Sequence, residues 1–444
     1  MRHMKNRAVR WAGALAVLAA AAGCKDLLTV QNPQVFTNDA ANSDILLPAV
    51  AAGAEGDMQV SVDNMAIMSG MLSDEFWHTG TWSDWLDVSK GLIRKNPPFN
   101  GAFSEPQNAM LRSRGTAESA VARFRRVLGD TVKTSPLFVT ASMARAWADV
   151  QLAMAVCEIP TTAGAATVSD TAIFKQAADS FAAMIPIIQA AHFAKASDRD
   201  ARLNQAYAGL ARANLMIGNY PAALQYAQLV PAGFQYDALY SNNSAFQNNQ
   251  MANQGNATYN RSFSIRDIWW TYIDTIAGQM RDPYSGQLDP RIPLGHDNNN
   301  SRGYDRGSDG VTKFFSNNKY STYASPIPIT KSAEMNLIIA EVRWRQGNYA
   351  GAMQAMNINR TAVGLPPMLL PVTGDVSTQI RDLLLQERFA VLFGEGSRLN
   401  DLYRFGLITQ RLGPNRATKL PLSRTEQLTN INIGEGKERC PAIS

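Results

Sequence analysis

The sequence predicts a mostly α-helical protein whose helices form antiparallel pairs, interrupted by long irregular segments. Two observations support this fold class. Two octapeptides are nearly the same, GNYPAALQ at 218–225 and GNYAGAMQ at 347–354. On both sides of each octapeptide, apolar residues recur every three or four positions, which is the spacing of one face of an α-helix. Each octapeptide therefore marks a turn between two amphipathic helices.

The first residue of each octapeptide explains the turn. Gly218 and Gly347 suit the left-handed position that follows the last turn of a helix. Small residues in the second helix, Ala223 and Ala352, allow the two helices of a pair to approach closely. Such a unit resembles a tetratricopeptide hairpin, which buries its apolar face by stacking on neighbouring hairpins in a right-handed scaffold. The alternative is an unrelated helical bundle in which the similar octapeptides are coincidental.

Other segments extend this scaffold or interrupt it. Residues 138–156 and 170–191 both have helical apolar spacing, so we expect a third hairpin there. Residues near 58–105 and 235–325 lack that spacing and are rich in Asn, Gly, Ser, Asp and aromatic residues. We expect these two segments to be long, irregular and to carry a ligand site, because ordered loops on a rigid scaffold commonly hold function.

The first 23 residues have the features of a secretory leader. A basic stretch, MRHMKNRAVR, precedes the apolar run WAGALAVLAAAA, which is too short to span a bilayer as a helix. The run ends at AAGC, so we predict that Cys24 is lipidated and begins a mature domain of residues 24–444. The alternative is an ordinary leader cleaved nearby, with Cys24 a free thiol.

Composition excludes some classes of partner. Hydrophobic residues make up 45% of the chain and charged residues 18%, as in folded globular proteins. The net charge of +5 includes four basic leader residues, so the mature chain is close to neutral and a nucleic-acid partner is not expected. Beyond Cys24, the cysteines are Cys157 and Cys440; a disulfide between them is one possibility, and we favour free thiols.

Two short stretches have the chemistry of a sugar-binding site. Aromatic rings cover the apolar face of a sugar, and polar side chains bind its hydroxyls. FWHTGTWSDWLD offers such residues around His78, and RGYDRGSDG offers more. The candidate ligand-binding residues are Trp77, Trp82, Asp84, Trp85, Arg302, Tyr304 and Asp305. Alternatively, some of the aromatics fill the core, because a helix would turn both Trp77 and Trp85 inward.

A charged cluster near the C-terminus has a different interpretation. Its members are Glu387, Glu395, Arg398, Asp401 and Arg404. Paired carboxylates can hydrolyse glycosides, but buried charges also form purely structural ion networks. We interpret the cluster as a structural ion network and expect Arg398 or Arg404 to pair with Glu387.

The sequence carries no recognisable cofactor or metal motif, so we expect no cofactor and no catalytic residue. The motifs HExxH, CxxC, GxSxG and GxGxxG and the P-loop are absent, and the three histidines beyond the leader lie far apart. Residues 297–310 are rich in oxygen ligands but do not match the spacing of a calcium loop.

Several passages together resemble one family. They are KDLLTVQNP after Cys24, residues 324–367 around the second octapeptide, IRDLLLQERFAVLFGEGSRLNDLYRFG at 380–406, LPLSRTEQLTNINI at 420–433 and, more weakly, LDPR at 288–291. These passages are similar to the SusD/RagB family of outer-membrane nutrient-uptake lipoproteins. Two departures are Ala21, where the family's lipid signal usually has Leu, and a C-terminus without the usual Asn-Pro-Gly-Tyr ending.

The resemblance implies a surface-exposed outer-membrane lipoprotein that is not an enzyme. Such a protein captures oligosaccharides, or sometimes peptides, for a SusC-like TonB-dependent transporter. It also implies tetratricopeptide-like helix pairs beneath an irregular binding region. Two alternatives remain: a helical-repeat lipoprotein that binds only protein partners, and a secreted glycoside hydrolase.

Overall fold

The structure is a computed structural model that describes residues 43–93, 101–162, 164–295 and 305–433. The chain divides into two compact units, Met1–Leu47 and Pro48–Ser444. Within the first unit only residues 43–47 are described, and they include the 3-10 helix Asp44–Leu46. The second unit contains the features discussed below. Four residues singled out above, Cys24, Arg302, Tyr304 and Cys440, lie outside the described ranges.

Helices dominate the described chain. Their bounds are α1 Leu47–Leu72, α2 Ser83–Lys90, α3 Gly101–Leu128, α4 Pro136–Ala155, α5 Asp170–Ala190, α6 Ala196–Met216, α7 Tyr220–Leu229, α8 Gln250–Gly255, α9 Ser332–Arg345, α10 Tyr349–Ala362, α11 Val376–Val391, α12 Arg398–Arg404, α13 Ile408–Leu412 and α14 Arg424–Thr429. Further 3-10 helices are Gly129–Thr134, Ala245–Gln247 and Asp267–Tyr272. No helix in these ranges has the length and apolar character needed to cross a membrane.

The strands are short and all of their pairings are antiparallel. They are β1 Phe76–His78, β2 Glu158–Pro160, β3 Thr167–Ser169, β4 Gln235–Ala238, β5 Phe263–Ile265, β6 Ile273–Asp274, β7 Gln279–Arg281, β8 Leu288–Gly295, β9 Asp305–Arg306, β10 Lys313–Phe314, β11 Ser316–Asn317 and β12 Ile327–Lys331. Among them, β6, β7, β8 and β11 form one sheet, and the others pair as β1–β5, β2–β3, β4–β12 and β9–β10.

The predicted helix pairs are confirmed. Gly218, with φ 78°, lies between α6 and α7, and Gly347, with φ 73°, lies between α9 and α10. The third expected pair is α4 and α5, and α7 packs against α9, so that the two repeat hairpins are neighbours. The mostly α fold with tetratricopeptide-like helix pairs is therefore correct.

Small residues hold the helix pairs together. Ala223 and Ala352 are completely or almost completely buried, and each belongs to one of two core clusters. One cluster joins α6 and α7 to Met335, Ile338 and Val342 on α9. The other joins a second face of α9 to α10 and α11. Helix α9 is thus packed on two sides, as stacking of hairpins requires.

The prediction of irregular backbone near 58–105 is wrong for part of that segment. Helix α1 continues to Leu72, and α2 forms within the tryptophan-rich stretch. From Met58 onward α1 is buried on nearly every side, including Met65, Met68 and Met71. A helix buried all round needs no polar face, so it lacks the apolar spacing by which helices are recognised in a sequence.

The expectation of free thiols is wrong at Cys157. This residue is disulfide-bonded and 6% exposed, and its backbone N–H donates to the carbonyl of Leu420. The other two cysteines of the chain lie outside the described ranges. Whether two cysteines can form a disulfide depends on their distance in the folded protein. Their separation in the sequence does not indicate that distance.

Two glycines allow the chain to turn sharply between α11 and α12. Gly394 has φ 68° and Gly396 has φ 77°. A Cβ atom on Gly396 would overlap Sδ of Met65 and would lie 3.1 Å from Cα of Ala66 on α1. The hydroxyl of Ser69 donates to the Gly396 carbonyl at 2.7 Å. The Gly-Glu-Gly motif therefore serves a close approach of this turn to α1.

We predict that Gly396→Ala lowers the free energy of unfolding by about 2–3 kcal/mol, since it adds a steric overlap to an unfavourable backbone angle. Gly364→Ala is the control. Gly364 has φ 78° but no atom within 4 Å of its Cβ position, so only the backbone cost of about 1 kcal/mol is expected. Urea unfolding measures both values, and equal losses in the two variants would contradict the close approach.

Candidate functional site

A large cleft lies within the unit Pro48–Ser444. Its volume is about 1270 Å³, which exceeds the few hundred to about 1000 Å³ of most small-molecule pockets. The walls are α1, α3, the stretch from His78 to Trp85, residues 245–262 and Ser308. The cleft therefore has room for a ligand of several linked units.

Two tryptophans and an aspartate from the predicted stretch meet in this cleft. Trp82 precedes α2 with an extended backbone, and 68% of its surface is exposed. Trp85 also lines the cleft but is 8% exposed, so it belongs to the wall. Asp84 accepts the backbone N–H of Trp85 at 3.0 Å in the first turn of α2, where a carboxylate is favoured. Trp82 is thus the ring that is free to cover a sugar face.

A second exposed aromatic ring lies in the same cleft. Phe246, in the 3-10 helix Ala245–Gln247, is 51% exposed. The guanidinium of Arg112 on α3 lies 4.8 Å from the centre of its ring. Sequence reasoning did not single out Phe246; the available signal was one aromatic residue within the amide-rich stretch NNSAFQNNQ.

The polar lining of the cleft is mostly uncharged. Its amides are Asn64, Asn248, Gln250, Asn253, Gln254 and Asn260, and its hydroxyls are Thr81, Ser83, Ser262 and Ser308. The amides are ordered by one another: Asn253 donates to Gln250 and Asn260 donates to Asn253, each at 2.8 Å. Amides both donate and accept, so this lining can bind sugar hydroxyls.

A buried carboxyl organises one side of the lining. Asp63 on α1 accepts the backbone N–H of Gln250 at 2.8 Å and the side-chain amide of Asn64 at 2.8 Å. Its side chain is fully buried, and this burial raises its pKa to about 7 although both hydrogen bonds act in the other direction. Asp63 therefore holds α1 and α8 in register beside the cleft.

The other predicted ligand residues do not line this cleft within the described chain. Trp77 lies on β1, partly buried, and the guanidinium of Arg266 lies 4.7 Å from its ring. Asp305 is buried on β9. Arg302 and Tyr304 fall outside the described residues, so their predicted role stays a prediction.

The charged cluster near the C-terminus lies apart from the cleft and does not form one network. The expected pairing of Glu387 with Arg398 or Arg404 is wrong, because Glu387 binds Arg360 at 2.6 Å and Arg291 at 2.7 Å. The other members have separate partners: Arg398 binds Asp74, Arg404 binds Glu341 and Asp401, Asp401 also binds Arg388, and Glu395 binds Lys319 and Lys331. Apart from Arg404 and Asp401, which are three residues apart on α12, these partners are distant in sequence and come together only through packing.

Each carboxylate of this cluster has a cation beside it in the core, and so does Glu341, the partner of Arg404. Glu341 has Arg404, Arg345 and Arg388 around it; despite its burial, these cations lower its pKa to about 2. Within the described chain, no group of three or more His, Cys, Asp and Glu side chains is placed to hold a metal ion. The arrangement supports a structural role for these charges.

The fold and cleft together define a class: a helix-pair scaffold that presents exposed aromatic rings and amides in an open cleft, as ligand-binding proteins do. Residues 233–435 match the family model of the SusD family. This match, over slightly less than half of the chain, agrees with the resemblance to the SusD/RagB family that the sequence motifs indicated. No curated protein sequence matches the chain.

Solved structures share the fold at low sequence identity. A SusD superfamily protein from Bacteroides thetaiotaomicron VPI-5482 is 15% identical, with a TM-score of 0.66 over 88% of this chain and 98% of the other. A SusD-like carbohydrate binding protein from Bacteroides vulgatus ATCC 8482 is 13% identical, with a TM-score of 0.59 over 85% of each chain. A laminarin binding SusD-like protein is 16% identical, with a TM-score of 0.56 over 88% and 98%.

Proposed function

We propose that this protein is a lipid-anchored outer-membrane binding protein that captures oligosaccharides, or peptides, and delivers them to a SusC-like TonB-dependent transporter. One observation carries the proposal: Trp82 and Phe246, both more than half exposed, lie in one amide-lined cleft. An exposed ring beside hydrogen-bonding groups is the arrangement that binds a sugar. The names of related structures, which mention carbohydrate and laminarin binding, point in the same direction.

Binding without turnover is part of this proposal. The carboxylates of the C-terminal cluster are paired with cations in the core and are therefore unsuited to glycoside hydrolysis. Three carboxyl side chains line the cleft: Asp63 is fully buried, Asp84 accepts the backbone N–H of Trp85 in the first turn of α2, and Glu105 is exposed on α3. Asp63 and Asp84 make structural contacts, and we assign the protein no catalytic activity.

We predict that Trp82→Ala weakens oligosaccharide binding about 10- to 100-fold, because loss of one stacking ring removes about 1–3 kcal/mol. Calorimetry of the purified chain against a panel of oligosaccharides and peptides measures the effect. Tyr272→Ala, which removes a partly exposed ring outside the cleft, is the control and should bind as the unchanged protein does. Release of shortened sugars would favour the hydrolase instead, and failure to bind any of the panel would favour a scaffold for protein partners.

The proposed lipid anchor is inferred from the leader sequence, and lipidation of Cys24 can be tested separately. Cys24→Ser is expected to abolish incorporation of labelled palmitate and to release the protein from the outer-membrane fraction, since the thiol would carry the lipid. Cys157→Ser, at a cysteine that is disulfide-bonded within the fold, should keep its label. Labelling of the Cys24→Ser variant would contradict lipidation at this residue.

A further inference from the structure

A second groove, separate from the cleft, is lined by exposed apolar side chains. Its volume is about 870 Å³, and none of its lining residues also lines the cleft. The large apolar side chains in it that are more than a third exposed are Ile268, Tyr272, Tyr284, Leu369, Leu370 and Val372. Contiguous apolar surface of this kind commonly marks a site of interaction, because its contact with water is unfavourable.

The groove is preformed. Two elements supply most of these side chains, the 3-10 helix that ends at Tyr272 and the segment 369–372 between α10 and α11. The first backbone N–H of this segment donates to the hydroxyl of Tyr284 at 2.9 Å. Just beyond it, the side-chain amide of Gln379 donates to the carbonyl of Thr373 at 2.7 Å. Because these bonds already fix the segment, a partner that binds there loses little free energy in ordering it.

The backbone of the same segment is available for pairing. Residues 365–372 form neither helix nor turn. Within the described ranges, the N–H of Leu370 and the carbonyl groups of Leu369 and Leu370 make no hydrogen bond. An exposed segment with free N–H and C=O groups can pair with an extended segment of another chain, whose alternate side chains then enter the neighbouring apolar pockets. An extended polypeptide is therefore the shape of ligand that suits this groove.

Arg411, on α13, adds a charge to the groove. Its side chain is 39% exposed, and the one carboxylate within 4 Å of it in the described chain is Asp74, at 3.9 Å. Both oxygens of Asp74 are already bound by Arg398, at 2.5 and 2.7 Å. The carboxylate that lines the groove, Asp382, pairs with Arg381 at 2.8 Å. Arg411 is thus a cation that an incoming carboxylate would match.

We infer that this groove docks an extended segment of a partner protein, which places one acidic side chain at Arg411 and apolar side chains against Tyr272 and the segment 369–372. The most exposed apolar residues of the groove, Leu369 at 75% and Val372 at 85%, indicate a folded partner. A single bound strand would leave much of their surface in water, whereas a larger body would cover it. The inference does not depend on which ligand the cleft binds.

The first test is selection of a phage-displayed library of random dodecapeptides on the purified full-length protein. We expect the enriched peptides to carry Asp or Glu among apolar residues. One of them, synthesised with blocked ends, should bind saturably in a fluorescence anisotropy titration. Replacing its acidic residue with the matching amide should weaken binding about tenfold, because a hydrogen bond between two charged groups is lost.

Variants of the protein locate the binding site. Arg411→Gln and Leu369→Ser should each weaken binding of the peptide about tenfold, and Arg411→Gln should bind the acidic and amide forms equally. The matched controls are Arg199→Gln, at a side chain 42% exposed, and Leu428→Ser, at a residue 67% exposed. Both controls lie outside the groove and should bind the peptide as the unchanged protein does. Unchanged melting temperatures in all four variants would show that lost binding does not reflect lost folding.

A carrier protein distinguishes a docking segment from a free peptide. The selected sequence, inserted into a surface loop of an unrelated folded domain, should bind at least as tightly as the free peptide. Loss of binding in that setting would overturn docking of a folded partner.

Three other results would contradict the inference. They are enrichment of peptides rich in Lys or Arg, binding that is equal in Arg411→Gln and the unchanged protein, and a dimer in sedimentation experiments that Leu369→Ser dissociates. The last result would assign the groove to a second copy of this chain. Oligosaccharide binding in the cleft should be the same in Arg411→Gln as in the unchanged protein, so failure of the proposed function and failure of this inference are distinguishable.

Discussion

Replacing Arg360 with methionine is expected to lower the free energy of unfolding by about 3–5 kcal/mol. Arg360 is fully buried between two carboxylates, with Asp282 and Glu387 each 2.6 Å away. Its Nε also donates to the carbonyl of Pro366 at 2.8 Å. Methionine keeps much of the volume but removes the charge and every one of these hydrogen bonds.

The large cost arises from the partners that remain. The side chains of Asp282 and Glu387 are 1% and 0% exposed. Arg360 is the main reason that the pKa of Asp282 falls to about 2 despite its burial. Without Arg360, Asp282 either stays charged in the core or takes up a proton, and both outcomes destabilise the folded state.

A surface arginine provides the matched control. Arg381 pairs with Asp382 at 2.8 Å, but their side chains are 25% and 58% exposed. Exposed ion pairs contribute between zero and about 1 kcal/mol, so Arg381→Met should have a small effect. Urea unfolding of both variants at neutral pH measures the difference. Similar losses of unfolding free energy in Arg360→Met and Arg381→Met would show that burial does not determine how much an ion pair contributes.

Glu75→Gln is expected to stabilise the protein at alkaline pH and to leave it almost unchanged at pH 5 or below. Glu75 is 1% exposed; Oε1 accepts the backbone N–H of Gly394 at 2.7 Å, and Oε2 has no hydrogen-bond partner in the described chain. Burial raises the pKa of Glu75 to about 8, and the neighbouring Asp74 adds to this effect. The protonated form is therefore the one that suits the fold.

The direction of the pH effect follows from the raised pKa. Between the unfolded value of 4.5 and the folded value of about 8, the folded state binds more protons than the unfolded state. The contribution of Glu75 to stability is fully present below pH 4.5 and is lost as the pH rises through about 8. Glutamine resembles the protonated form at every pH, so the variant should gain up to about 3–5 kcal/mol over the unchanged protein by pH 9.

Glu395→Gln is the control with the opposite sign. Burial alone would raise the pKa of Glu395, but Lys319 and Lys331 hold it below its usual value. Its contribution is present above the unfolded pKa and is lost as the pH falls, so Glu395→Gln should destabilise the protein at neutral pH. Unfolding free energies at pH 5, 7 and 9 test both variants. A stability difference between Glu75→Gln and the unchanged protein that does not grow with pH would contradict the assignment.

The helix pairs could be read from local sequence because their signals are local. Periodic apolar residues and a glycine after the last helical turn specify each repeat hairpin within about thirty residues. Gly218 and Gly347 adopt the left-handed conformation that a helix-ending glycine requires. The tryptophan-rich stretch could also be identified as a candidate ligand-binding segment, because aromatic residues among small polar ones contribute little to a core when they are exposed.

Contacts between distant parts of the chain could not be read in the same way. Phe246 joins Trp82 in one cleft, and Arg360 and Arg291 are the cations of Glu387, although all of these pairs are far apart in sequence. The part of helix α1 from Met58 onward escaped recognition because its burial on nearly every side removes the polar face that periodicity needs. Local sequence thus specified which helices form and how they turn. The meeting of two exposed rings in the cleft and the partners of the buried charges were decided by packing, since charge and ring contacts depend on distance in space, which one-dimensional order does not record.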